Sequence, residues 1–222
     1  MVLVLNGPLW FMGYESIFVF IAGLITILIS ILSYKAYKLT EDSKHKYFSL
    51  ALFLMSIGFF TLSVFSTLLL THVWDGLNTA LSQFDFIFLI HSLLMLIAYM
   101  ILLIVTLKID NIKVITLLIS LISLFVAFSY QHFLKFHIVS FMLLFFLSYQ
   151  FYTNYLKKKN PNAKLVFISF YLLTCAEAFL MLFAFVSNWF YLIGRVVQFS
   201  GYLVLFYTFL RVIYHDREKR KA

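Results

Sequence analysis

Seven long runs of apolar residues, almost without charge, constrain this chain more than any other feature of its sequence. They cover about 16–34, 47–71, 86–107, 114–130, 136–155, 165–187 and 189–210. A helix needs roughly 20 such residues to cross the hydrocarbon layer of a membrane, which is about 30 Å thick. The runs are continuously apolar and exceed the roughly 10 residues of a membrane β-strand. The sequence therefore predicts an all-α, polytopic membrane protein, a bundle of seven transmembrane helices.

The overall composition leads to the same class of protein. Hydrophobic residues make up 64% of the chain, charged residues only 12%, and the mean hydropathy is +0.99. A soluble domain needs a far more charged surface. We expect a single transmembrane domain over 1–222, multi-pass in the cell membrane, with 211–222 as a short basic cytoplasmic tail. The first run should be retained as a span, because no basic residue precedes it and no cleavage pattern follows it.

The basic residues are distributed unevenly around the predicted helices. All of the 17 Lys and Arg residues except Lys135 and Arg195 fall after the first, third and fifth runs or in the tail. Lys and Arg are enriched in cytoplasmic loops, so we expect the N-terminus outside and the C-terminus in the cytoplasm. The net charge of +8 then reflects topology and contact with anionic membrane lipids, and we expect no nucleic-acid partner.

The sequence shows no motif of a common enzyme class. Phosphate-binding, dinucleotide-binding, zinc-protease and nucleophile-elbow patterns do not occur. The single cysteine, Cys175, excludes an intrachain disulfide and a cysteine-based metal cluster. No lysine lies in the seventh run, which excludes a retinal Schiff base at the position that rhodopsin-type proteins use. An enzymatic role is therefore disfavoured, and we expect no catalytic residue, metal or cofactor.

Polar residues inside the apolar runs are the candidates for a functional site. An ionisable group in the hydrocarbon costs at least about 2.5 kcal/mol and marks function by default. Counting 1.5 Å per residue from the basic helix ends places Glu177 and Gln198 roughly 20 Å, and His91 and Arg195 roughly 25 Å, from the cytoplasmic side. Tyr202 shares a stripe of the seventh helix with Arg195 and Gln198. We expect these five residues to frame an outward-facing polar pocket.

Arg195 indicates what such a pocket would bind. A guanidinium offers a fixed fork of donors, so the pocket should favour a small anionic ligand. The turn between the last two runs is very short, which makes these helices antiparallel neighbours and lets Glu177 meet Arg195 as an ion pair. Two interpretations of that pair stay open: a structural lock between helices, or a part of the ligand pocket.

Histidines leave a further alternative open. His91 lies inside the third run, whereas His137 falls at the outer start of the fifth run, where a histidine is usually solvated. A bis-histidine haem needs two imidazoles at one depth on facing helices, and these two residues are the only rough match.

Two segments resemble a known class of membrane domain. SYKAYKLTEDSKHKYFSLALFLMSIGFF (33–60) is similar to the start of the seven-helix membrane domains of prokaryotic sensor proteins, including those fused to histidine kinases. FYTFLRVIYHDREKR (206–220) is similar to their junction with the effector. The resemblance implies a sensor or receptor-like module. No kinase or cyclase follows in this sequence, so we expect the output to pass to a separate cytoplasmic or intramembrane protein partner.

Two other functions are compatible with the same spans. A non-catalytic accessory subunit of a larger membrane complex would need no ligand of its own. A small transporter would need helices broken near the midplane. The only prolines, Pro8 and Pro161, lie outside the apolar runs, which disfavours the transporter.

Overall fold

Helices form almost all of the part of the chain that the structure describes, which is residues 12–72, 77–127 and 132–219 of a computed structural model. The seven helices are α1 (Met12–Thr40), α2 (Ser43–His72), α3 (Leu77–Leu107), α4 (Ile112–Ala127), α5 (His132–Lys158), α6 (Pro161–Phe183) and α7 (Trp189–Lys219). No strand occurs in these ranges. The predicted all-α architecture of seven helices is confirmed.

Several helices extend beyond the apolar runs that predicted them. The loop expected over 72–85 is wrong in part, because α3 already begins at Leu77, and α7 continues through the expected tail to Lys219. Backbone hydrogen bonding continues into polar residues, whereas hydropathy marks only the apolar part of a helix. In the opposite direction, α6 ends at Phe183 and not at 187. The predicted end of the fourth helix, 128–130, lies outside the described residues.

Six of the helices have the length and apolar character that a membrane crossing requires: α1, α2, α3, α5, α6 and α7. The described part of α4 has 16 residues, which corresponds to about 24 Å at 1.5 Å per residue and is shorter than the hydrocarbon layer. The fold is therefore that of a helical integral membrane protein.

The six long helices pack as a closed ring. Each contacts its neighbours in the order α1, α2, α3, α5, α6, α7 and back to α1. The interface between α1 and α7, the first and last helices, is the smallest of the ring. α4 lies outside the ring against α3, where it buries Ile122 and Val126 and exposes Leu117 and Leu121.

Two glycines bring α7 close to α6. A Cβ at Gly194 would lie 2.8 Å from the Leu180 side chain, and one at Gly201 would lie 2.9 Å from Leu173 and 3.2 Å from the carbonyl oxygen of Ser169. Small residues allow this kind of close approach between membrane helices. Because the two glycines are seven residues apart, they form one face of α7, and that face is committed to α6.

The connections after α1, α3 and α5 are built alike. Each contains a residue with left-handed backbone conformation: Glu41 (φ 55°), Lys108 (φ 56°) and Lys159 (φ 47°). An Asp or Asn side chain then accepts a hydrogen bond from the backbone of the following helix, as Asn160 Oδ1 does from the Asn162 N–H at 3.0 Å. Such turns fold consecutive helices back on each other and bring the basic loops to one end of the bundle.

Candidate functional site

All five predicted site residues are buried in the bundle, but they are divided among different contacts. They are His91, Glu177, Arg195, Gln198 and Tyr202. Two of them form buried polar contacts with residues outside this set: Arg195 forms an ion pair between α7 and α1, and Glu177 forms a hydrogen-bonded pair with a histidine between α6 and α5. The candidate site therefore consists of two separate side-chain pairs with aromatic residues between them.

Arg195 is the centre of the first group, which we call the Arg195 cluster: Glu15, Tyr191, Arg195 and Gln198. Nη2 of Arg195 lies 3.1 Å from Oε1 of Glu15 and donates to the Tyr191 hydroxyl at 3.0 Å. Nη1 donates to Oε1 of Gln198 at 3.0 Å. The Tyr191 hydroxyl in turn donates to the Glu15 carboxylate. The cluster joins the first helix of the ring to the last by charge and hydrogen bonds together.

The sequence of α7 explains this arrangement. Tyr191, Arg195 and Gln198 are spaced i, i+4, i+7 and share one face. Arg195 follows Gly194, and one residue turns the helix by about 100°. Because the glycine face packs on α6, the Arg195 face is rotated away from α6 and towards α1. The predicted ion pair between Glu177 and Arg195 is wrong for this reason.

Glu177 pairs instead with His137 of α5. Nδ1 of His137 donates to Oε2 of Glu177 at 2.6 Å, and both side chains are buried. The expectation that His137 is solvated is wrong as well, since α5 begins at His132 and carries His137 into the interior. Nε2 of His137 has no hydrogen-bond partner, and the rings of Phe133 and Phe136 pack against the imidazole.

His91 belongs neither to the Arg195 cluster nor to the pair between His137 and Glu177. Its Nδ1 lies 2.8 Å from the carbonyl oxygen of Gly58 in α2, and a carbonyl only accepts, so Nδ1 carries the proton. The Phe136 ring contacts the imidazoles of both His91 and His137, with centroid separations of 5.7 and 4.9 Å. In the described ranges, no group of three or more His, Cys, Asp or Glu side chains is arranged to hold a metal ion.

Tyr202 lies deeper along the same helix. Its ring packs edge-on against Phe59 at 5.3 Å between centroids. The hydroxyls of Tyr202 and of Tyr99 on α3 are both buried and lie within interacting distance of each other.

A small cavity lies beside the Arg195 cluster. Its volume is about 10 Å³, and Arg195, Gln198 and Phe59 are among its lining residues. Ligand pockets for organic molecules usually measure roughly 300–1,000 Å³. This cavity is far smaller, so an organic anion could reach Arg195 only after the helices around it move apart. Binding of a small anionic ligand by the five predicted residues stays a prediction.

Sequence reasoning missed two members of the Arg195 cluster. Glu15 directly precedes the first apolar run and was excluded from it, although it lies at the same end of the bundle as Arg195. Tyr191 is four residues before Arg195, a spacing that places both on one helix face. The sequence did contain a signal for this pairing: an acidic residue flanks one span at the same depth as a buried arginine in another.

No family model, curated protein or solved structure matches this chain. The fold and the site define its class directly: a helical integral membrane protein with a buried ion pair and a buried histidine–carboxylate pair inside a ring of six long helices.

The Arg195 cluster predicts which charges are energetically coupled. Glu15→Gln or Arg195→Gln alone should destabilise the bundle by about 3–5 kcal/mol, because each leaves a buried charge uncompensated, and the double change should recover part of that loss. Unfolding of the purified protein in mixed detergent micelles measures this double-mutant cycle. The matched cycle with Glu177→Gln and Arg195→Gln should be closer to additive. Stronger coupling of Arg195 to Glu177 than to Glu15 would contradict the observed pairing.

The pair between His137 and Glu177 predicts an asymmetry between its two members. His137→Leu strands a buried carboxylate and should cost about 3–5 kcal/mol. Glu177→Gln keeps an acceptor for Nδ1 of His137 and should cost about 1 kcal/mol, the scale of one hydrogen bond. The same unfolding measurement compares them, and the reverse order would show that the carboxylate is stabilised by other groups.

Proposed function

We propose that this protein is a sensor or receptor-like membrane module that responds at the Arg195 cluster and acts through a separate partner. The observation that carries the proposal is the Glu15–Arg195 ion pair, which closes the ring of long helices at its smallest interface. An ion pair at a small interface can favour one of two helix arrangements, which is what a response element requires.

The energetics of a buried ion pair support this role. Breaking such a pair by removing one partner costs about 3–5 kcal/mol, whereas moving a two-state equilibrium from 1:99 to 99:1 takes about 5.5 kcal/mol. A stimulus that replaces or neutralises one partner of the pair therefore changes the free energy by an amount comparable to that needed to shift the helix arrangement. The contacts elsewhere in the ring are more extensive, so the interface between α1 and α7 is where the bundle would open.

The proposed stimulus is an anionic group that competes with Glu15 for Arg195. The guanidinium already holds a carboxylate, a phenol and an amide as acceptors, so a second carboxylate could take the position of Glu15. Because the cavity beside Arg195 is only about 10 Å³, such a ligand would bind to an opened form of the bundle and stabilise it. This is a population shift towards a state with the α1–α7 interface widened.

The proposed output is at the opposite end of the same helices. α1 and α7 run parallel, since Glu15 and Arg195 meet near the start of each. The ends of both helices are flanked by basic residues, among them Lys35, Lys38 and Arg211. Basic residues beside a span favour the cytoplasmic side and attract anionic lipid or an acidic protein surface. Movement of α7 against α1 would change this surface.

A second function, that of an accessory subunit of a larger membrane complex, is favoured by a different observation. The Arg195 cluster has four mutually bonded members and only a small cavity, as expected if it simply locks two helices together. The transporter has no comparable support, because it would need helices broken near the midplane, and the long helices run without interruption through the described residues.

The orientation of the bundle predicts which loops are reached from each side. In a Cys175→Ser background, a cysteine at Asn188 should react with a membrane-impermeant maleimide added outside intact cells, because the α6–α7 turn lies opposite the basic loops. A cysteine at Asn160 should react only after the cells are opened. Both positions are exposed, so poor access does not explain a failure to react. The opposite pattern would place the N-terminus in the cytoplasm and overturn the proposed direction of signalling.

Loss of the closing ion pair should move α7 relative to α1. Spin labels at Lys35 and Val212, both exposed, report the distance between the basic ends of the two helices by pulsed electron resonance in lipid nanodiscs. Glu15→Gln should add a second, longer distance, because it removes the charge that holds the interface closed.

The matched control is Glu177→Gln, which neutralises the carboxylate that pairs with His137 and should leave the distance unchanged. An unchanged distance distribution in Glu15→Gln, with the protein still folded, would show that the pair is not a response element. The accessory-subunit function would then be preferred.

A further inference from the structure

We propose that the cavity beside the Arg195 cluster is a binding site for a single ordered water molecule. The inference goes beyond the sensor role and does not depend on it, because a purely structural cluster would need the same water. It rests on the unpaired polar atoms of the cluster, the size of the cavity and the balance of charge around it.

One residue of the cavity lining carries an unsatisfied donor. Nε of Arg195 is buried without a hydrogen-bond partner in the described part of the chain, in a side chain that is only 6% exposed. The other two nitrogens of the guanidinium bond to members of the cluster. Gln198, which also lines the cavity, uses its carboxamide oxygen to accept from Arg195, so its nitrogen offers further donors. A buried donor that lacks a hydrogen bond lowers the stability of the folded state by about 1–3 kcal/mol, and by more when the group is charged.

The size of the cavity selects the ligand. A buried water occupies a cavity of at least roughly 10–15 Å³ and needs about two to four polar partners. The cavity measures about 10 Å³, which suits one water molecule. The remaining lining is apolar, with Val19 and Ala22 of α1 and Phe59 of α2 among its members, and it offers no competing hydrogen-bond partner.

The charge balance favours water over an anion. Donors alone would suit a halide of similar size as well as a water oxygen. However, the charge of Arg195 is already compensated by Glu15 at 3.1 Å, and an added anion would leave a net negative charge in a low-dielectric interior, which costs several kcal/mol. A neutral acceptor satisfies the donors without that cost.

Radiolytic footprinting of the full-length protein in nanodiscs tests the proposal. X-ray pulses convert bound water to hydroxyl radicals in place, so a buried side chain that contacts an ordered water is oxidised although bulk solvent does not reach it. Phe59 lines the cavity, whereas Phe170 packs against Phe151 on the other side of the ring. Each is 1% exposed, which makes them a matched pair. We expect Phe59 to be oxidised several-fold faster than Phe170.

A cavity-filling variant separates bound water from general leakage of solvent. Ala22→Val adds two methyl groups to the lining and should lower the oxidation rate of Phe59 to that of Phe170. Ala163→Val, in the first turn of α6, is the control and should leave the rate unchanged. Equal rates for Phe59 and Phe170 in the unaltered protein would overturn the proposal without any variant.

Exchange of chloride for gluconate identifies the bound species. The oxidation rate of Phe59 should be the same in both buffers if the occupant is water. A rate that rises when chloride is removed would assign the cavity to a halide and overturn the proposal. Failure of this experiment leaves the distance measurement between α1 and α7 unaffected, so the two proposals are tested separately.

Discussion

The contact on which the rest of the bundle depends is the buried ion pair between Glu15 and Arg195. Each of the other ring interfaces is larger than the one between α1 and α7, the first and last helices of the ring. That small interface contains a buried arginine paired with a buried carboxylate. A buried pair contributes little net stability compared with apolar residues of the same shape, but it is intolerant of losing one member. It therefore specifies which helices meet.

The histidine–carboxylate pair lies in a different setting. His137 and Glu177 lie between α5 and α6, which already pack closely as neighbours in the chain. Here aromatic rings pack against the histidine, with Phe133 only 4.3 Å from His137 between centroids. The pair is thus embedded in a large interface and the Arg195 cluster closes a small one. This difference is why we place the proposed response in the Arg195 cluster and not at His137.

Much of the architecture and part of the site were readable from the sequence. The apolar runs predicted the number and type of helices, because a backbone in hydrocarbon has to satisfy its hydrogen bonds within the segment. The scarcity of charge inside those runs identified Glu177 and Arg195 as buried and costly residues. Their partners were not readable. Glu15 lay just outside a run defined by hydropathy, and His137 was assigned to a solvated helix end because the start of α5 was placed four residues too late.

By itself, the sequence determined which segments are helices suited to a membrane and which ionisable groups those helices carry, since both depend on local composition and a fixed rise per residue. The tertiary structure alone decided how those groups pair. On α7, a rotation of about 100° about the helix axis separates a residue that faces α6 from one that faces α1. The packing of Gly194 and Gly201 against the side chains and backbone of α6 fixes that rotation. Whether a charge meets one neighbour or another depends on helix rotation and on the order of helices in the ring. Both arise from long-range packing that no local pattern records.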